Sequence, residues 1–452
     1  MKPATLWLLA VPNVRASRTR AALVAMGTAA AGGLVLVTLA LFRVPAFALP
    51  PRGSTANYSI SYDPRYAGIV TSAETRIGVA TAVLLVAGTA LVLAWQAVSS
   101  GSARRHRRDQ ALTTTGATPG DLRRLGAIET AVAGAVGGLL AGPVYLLLWF
   151  VLGPAQPATS RLLPALAPAD LIAWACLVPA SAALAAAAGA RSGTQLHRRP
   201  LSGWWWLALA IVALAGMFTL PQLGQGDRQL QVTLMSVAVT LLLLVALACG
   251  APWARGKASR MSRRGRTTDL LAGGGLRALA GPAGRAAGVL LGAGLTTGVA
   301  TVILGNILRQ ATDLGSGGHL TGIVLAAVAA GLAALAGLAT ITLAAVDDLL
   351  TNRRGLAAMA AIGADLALLQ ALQRRRLRAA TIAPLVSGLL IGGLGYGALS
   401  VAGEPAASTD AWPLLIVGPA ALALLLLANA GIVRLLRSRT REAIDPANLR
   451  VA

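Results

Sequence analysis

Cysteine, lysine and histidine are nearly absent from this chain, and each absence closes a class of function. Cys176 and Cys249 are its only cysteines and both lie inside apolar runs, so no disulfide framework or thiolate metal site is encoded. His106, His197 and His319 are scattered and form no cluster. Of the two lysines, Lys2 precedes Pro3 and Lys257 precedes Ala258, whereas a phosphate-binding P-loop needs Gly-Lys followed by Ser or Thr. The chain is therefore not expected to be an enzyme, and any ATP hydrolysis is expected in a separate subunit. No residue stands out as catalytic, cofactor-binding or metal-ligating. Charge is scarce too, at 12% of residues against roughly 25% in soluble domains.

What is present is apolar length. Hydrophobic residues make up 56% of the 452 residues, and mean hydropathy is +0.69. Ten stretches are long enough to cross a bilayer: 21–42, 77–98, 127–152, 170–190, 204–220, 230–252, 286–308, 321–345, 379–400 and 412–433. The expected fold is an all-α integral membrane protein whose solvent is the lipid bilayer. The net charge of +23 does not point to nucleic acid, because the basic residues sit in short connections and not on one face. With ten spans both termini share a side, and 32 of the 39 Lys and Arg residues fall on that side against 7 on the other. This bias places both termini in the cytoplasm. Arg15, Arg18 and Arg20 follow the apolar segment 6–11, the reverse of a secretory signal. Trp149, Trp174, Trp204, Trp205, Trp206, Trp253 and Trp412 lie near span ends, as an interfacial aromatic belt does. The longest outer connection, 43–76, carries Tyr58, Tyr62 and Tyr66, either as a packing patch or as a substrate-facing one.

The chain also repeats itself. The run Leu8-Leu9-Ala10 through Arg15-Ala16 parallels Leu270-Leu271-Ala272 through Arg277-Ala278, and each precedes an Arg-Ala-Ala span start at Arg20 and Arg285. Two four-span units, 1–200 and 256–452, are then joined by a two-span linker, 201–255. Four spans return the chain to its starting side, so the two repeats are expected to be parallel.

Between the second and third span of each unit lies an elbow. The first contains Gly116-Ala117-Thr118-Pro119, the second Gly363-Ala364-Asp365-Leu366. A glycine accepts the left-handed conformation that closes a helix. Thr118 and Asp365 then offer N-cap oxygens, Pro119 suits the first helical position, and Asp121 sits in the first turn. The third span carries Gly134, Gly138 and Gly142, and the ninth Gly388 and Gly392, spacings that permit close helix packing. Ionisable groups are confined to span ends, which disfavours an ion-coupled carrier. Glu129, Asp347 and Asp348 are such groups. Glu129 reads either as a functional charge or as an interfacial carboxylate paired with Arg123 or Arg124.

These elbows resemble the coupling segments of the FtsX-like (MacB-type) permease family of ABC transporters. The likeness rests on Arg107-Arg108, then Gly116-Ala117-Thr118, Leu122-Arg123-Arg124 and Glu129-Thr130. The basic segment 14–20 and the closing Asp445-Pro446-Ala447-Asn448-Leu449-Arg450 add to it. The resemblance covers both four-span units. It implies a permease of the bacterial plasma membrane, working with two copies of a separate ABC ATPase subunit, by mechanotransmission, on a hydrophobic or amphipathic molecule. It also implies that Arg107, Arg108, Leu112, Gly116, Ala117, Thr118, Asp121, Leu122, Arg123, Arg124 and Glu129 contact or couple to the ATPase. In the second copy Arg353, Arg354, Met359, Gly363, Ala364 and Asp365 take that role. Two features depart from the family pattern. The outer loops that carry a large domain in most members hold about 34 and 12 residues here, and Arg376 stands where Glu129 does in the first copy. A different reading is a non-transporting scaffold or sensor that relays ATPase state to a kinase or cell-wall hydrolase. A neighbouring histidine kinase gene would favour it, and a neighbouring ATPase gene disfavours a third, secondary-transporter reading.

Overall fold

A computed structural model of the chain describes residues 15–45, 63–99, 108–109, 111–157, 160–192, 208, 212, 215, 219, 228–309, 317–403 and 412–449. Most of the expected fifth span, 204–220, lies outside these residues, as do Arg107, Tyr58, Tyr62 and the run 8–14. Among the described residues there is no strand, only an isolated bridge between Tyr66 and Arg161. Nine helices there are long and apolar enough to cross a membrane. Their outward faces carry Leu139, Leu147, Phe150, Leu171, Leu184, Leu335, Leu415, Leu424 and Leu427, all exposed. So much apolar surface is stable in lipid and not in water. The protein is an all-α, multi-pass membrane protein.

The chain divides into two compact units, one built mainly on 1–199 and the other mainly on 242–452. The first contains α1 (Arg15–Leu41), α2 (Ala73–Ser99), α3 (Pro119–Leu152) and α4 (Pro168–Ser192). α3 lies at its centre, packed on α1 and on α4, and α2 packs on α1. The apolar windows of α2 and α4 are only 17% buried, against 56% for α1, so the former two are the lipid-facing members. Gly137 meets Thr28 and Ala25 of α1, while Gly134, Gly138 and Gly142 meet Ser181, Val178 and Trp174 of α4. α3 thus presents small residues on two faces, which is how one helix can serve as the axis of four. Trp174 Nε1 donates to Gly138 O at 3.0 Å and Trp149 Nε1 to Pro164 O at 2.8 Å. These two rings are therefore fixed by packing within the unit as well as by their place near span ends.

At the end of this unit away from the elbow, the connections close over the helices. Ala67 N donates to Arg161 O, Arg43 pairs with Asp170 at 2.7 Å, and Leu41, Val44, Val70, Tyr145, Leu162 and Leu163 are buried together.

α5 (Arg228–Ser262) leads into the second unit. There follow the amphipathic α6 (Thr267–Ala278), α7 (Ala280–Arg309) and α8 (Gly317–Thr351), then α9 (Arg353–Ala361) and α10 (Leu366–Gly403). α11 (Leu414–Leu435), α12 (Arg437–Ala443) and a 3-10 turn at Pro446–Leu449 complete the chain. α10 is the axis here, packed along α7 and beside α11. Gly388 and Gly392 lie against the backbone of Leu291 and Leu295, and Gly294 and Gly298 return the favour from α7. The Gly388/Gly392 pair therefore works between α10 and α7, whereas Gly134, Gly138 and Gly142 work between α3 and α4.

Candidate functional site

Both elbows are built from the same backbone bonds. In the first, a short helical turn at 111–114 ends at Gly116, whose φ is +91°. Gly116 N donates to Thr113 O at 3.0 Å and Ala117 N to Leu112 O at 2.9 Å. In the second, α9 ends at Gly363 with φ +104°, Gly363 N donates to Ala360 O at 3.0 Å, and Ala364 N to Met359 O at 3.0 Å. Each is a Schellman motif with glycine at C′, alanine at C″ and a long apolar residue, Leu112 or Met359, at C3.

The next helix then starts at once. Thr118 Oγ1 accepts from Asp121 N at 3.2 Å, and the Asp121 carboxylate accepts from Thr118 N at 3.1 Å, closing a capping box around Pro119. At the second elbow Asp365 Oδ1 accepts from Leu368 N at 2.8 Å. Nine residues after each glycine, Leu125 and Leu372 are buried, the former against Leu112. The helices that leave the elbows, α3 and α10, continue unbroken into the apolar region, so each elbow is the head of a long rod.

The polar side chains divide by exposure. Arg123, Arg124 and Arg354 are exposed, and Arg353 and Leu122 are partly covered. Ile362, beside Gly363, is 88% exposed, an apolar tip that the sequence reading did not single out. Glu129 is turned inward. Its Oε1 lies 3.2 Å from Arg20 Nη1 on α1, and its Oε2 3.6 Å from Arg108 Nη1. The expected pairing with Arg123 or Arg124 is therefore corrected. Those residues lie five and six positions before Glu129, off the i, i+3 and i, i+4 face that helix partners share.

Thirteen residues after the second glycine the charge is reversed. Arg376 Nη1 lies 3.4 Å from Asp348 Oδ2 at the end of α8, and Asp348 Oδ1 accepts from Asn352 Nδ2 at 2.7 Å. Next to it Arg375 Nε lies 2.6 Å from the enclosed Asp269 of α6. Arg353 and Asp347 are not in these contacts. The second elbow is further braced by the 3-10 turn Pro446–Leu449, which packs on α9 and is fastened by Asn448 Nδ2 donating to Glu442 O at 2.8 Å. No signal of these tertiary partners is visible locally in sequence, save that Arg20, Asp348 and Arg376 are ionisable residues at span ends. Among the described residues no cluster of His, Cys, Asp or Glu could hold a metal. No family model, curated protein or solved structure matches the chain.

Proposed function

We propose that the chain is the permease subunit of an ATP-driven transporter, of the kind its elbows resemble, and that two copies of a separate ATPase dock on the elbow end. The observation that carries this reading is the double occurrence of one cap-and-restart turn, with the same glycine-alanine Schellman bonds and the same N-cap offset, each heading an unbroken rod. Exposed Arg123, Arg124, Arg354 and Ile362 are what a partner would meet. Movement of an elbow is delivered along α3 or α10, each a continuous helix with one internal proline, Pro143 or Pro384.

In this reading the layout is two parallel four-helix repeats joined by a two-helix linker, ten spans in all. A second correspondence supports it. Eighteen residues after each elbow glycine the third and fourth helices are clasped by a polar bond, Ser181 Oγ to Gly134 O at 2.9 Å and Asn429 Nδ2 to Thr381 Oγ1 at 2.9 Å. The elbows face the cytoplasm of a bacterium, both termini are inside, and the cargo is a hydrophobic or amphipathic molecule taken from the membrane. The test is co-purification with the ATPase encoded nearest to this gene. The complex is expected to turn over ATP, the chain alone to show none above background. Failure of every neighbouring ATPase to bind would overturn the reading.

A further inference from the structure

Behind the second elbow is a half-open cavity of about 330 Å³, lined by α6, α8, α9, α10, Asn352 and Thr440 of α12. That is the small end of the range for ligand sites, roughly 300–1,000 Å³. Its wall is mostly apolar, with Leu349, Leu356, Met359 and Leu372, and its polar groups are few. Arg376 lies against Gly275, where any Cβ would collide with the guanidinium. Its two polar contacts, to Asp348 Oδ2 and Leu271 O, are both long at 3.4 Å, and its Nε has no partner. A guanidinium with five donors is thus loosely held. One turn earlier on the same face, Gln373 Oε1 is enclosed and also without a partner. Two glycines of the lining, Gly274 and Gly355, have open space where a side chain would stand.

We propose that this cavity binds the headgroup of a zwitterionic aminophospholipid, phosphate toward Arg376 and ammonium toward Asp348 and Gln373. The chemistry of the lining selects this class. A purely apolar guest would leave Arg376 Nε and Gln373 Oε1 without a partner, an unfavourable state for buried polar atoms. A purely anionic guest would face Asp348, and a purely cationic one Arg376. An ammonium and a phosphate joined by a short linker answer both charges and the amide, whose terminal torsion is soft enough to turn toward a donor. The volume holds a headgroup and leaves acyl chains outside. Because α9 forms one wall, an occupied cavity would wedge the second elbow against the body of its unit. The site rests on the geometry of the second unit alone and not on the presence of an ATPase.

The test uses the purified full chain in detergent, titrated with dihexanoyl phosphatidylethanolamine, dihexanoyl phosphatidylglycerol or free phosphoethanolamine while thermal unfolding is followed. Phosphatidylethanolamine is expected to raise the unfolding midpoint saturably and phosphatidylglycerol is not. Gly274→Leu, which fills open space, and Gln373→Leu are each expected to weaken the response about tenfold or more without lowering the lipid-free midpoint. Equal potency of phosphoethanolamine would support the ammonium–phosphate site and assign it a soluble source. No saturable shift, an equal shift with phosphatidylglycerol, or a response unaltered in both variants would overturn the proposal.

Discussion

Gly116 and Gly363 hold backbone angles, φ +91° and +104°, that an L-residue with a branched β-carbon adopts only under strain. Beyond its chain neighbours neither has an atom within 4 Å of where a Cβ would stand, so the strain of a substitution is conformational and not a clash with the rest of the fold. Gly116→Val and Gly363→Val should therefore each cost about 1–2 kcal/mol at the turn while membrane insertion, which depends on the spans, stays normal. Pull-down of the ATPase or coupling of hydrolysis to transport should fall, more for Gly116→Val, because that elbow also has the capping box of Thr118 and Asp121. Gly116→Asn, a residue that tolerates the left-handed region, should recover most of the loss. Normal ATPase capture and full transport in both valine variants would make these turns ordinary loops. The turns were legible in sequence because every participant lies within ten residues: glycine, alanine, a cap and an apolar C3 residue are all local signals. Ile362 was not, since an isoleucine before a turn reads as core until its 88% exposure is seen.

At the scale of helices, the informative pattern is a charged lock of opposite polarity at one register. In the first unit the acid is on the long rod and its arginines are on α1 and the elbow. In the second the arginine is on the rod and the acid is on α8. Glu129 and Arg20 are 10% and 14% exposed at their side chains, so removing one charge leaves the other largely desolvated. Breaking such a pair costs about 3–5 kcal/mol when burial is complete, and somewhat less here. Glu129→Gln is expected to lower the thermal midpoint of the solubilised chain. Arg20→Glu with Glu129→Arg should recover part of the loss, with a coupling energy of about 0.5–3 kcal/mol in a double-mutant cycle. Strict additivity of the two single changes would mean that the charges do not act as a pair. This lock was only half legible. Sequence places Glu129 and Arg376 at one offset, but Arg20 is 109 residues from Glu129. A partner that far away is chosen by helix packing, through Gly137 on Thr28 and Ala25, and not by local pattern.

For the whole molecule, orientation is the property on which the elbow reading depends, and it is set by charge. In the first unit the elbow end carries Arg15, Arg18, Arg20, Arg108, Arg123, Arg124 and Arg191 and the opposite end Arg43, Arg65, Arg76 and Arg161. In the second the elbow end carries Arg353, Arg354, Arg374, Arg375, Arg376 and Arg378 and the opposite end, among the described residues, Arg309. Excess arginine holds a connection on the inner side during insertion, so the elbow end should be cytoplasmic. Cys176 and Cys249 are the only thiols to remove, which makes a reporter background simple to prepare. In that background Thr114→Cys places a thiol on the exposed first elbow and Ala155→Cys one on the exposed loop at the other end. A membrane-impermeant maleimide added to intact cells should label Ala155→Cys and leave Thr114→Cys untouched until the membrane is opened. The opposite result would put the elbows outside, beyond the reach of any ATP-driven partner. The permease reading would then fail, although the cavity behind the second elbow would keep its chemistry and face the other leaflet.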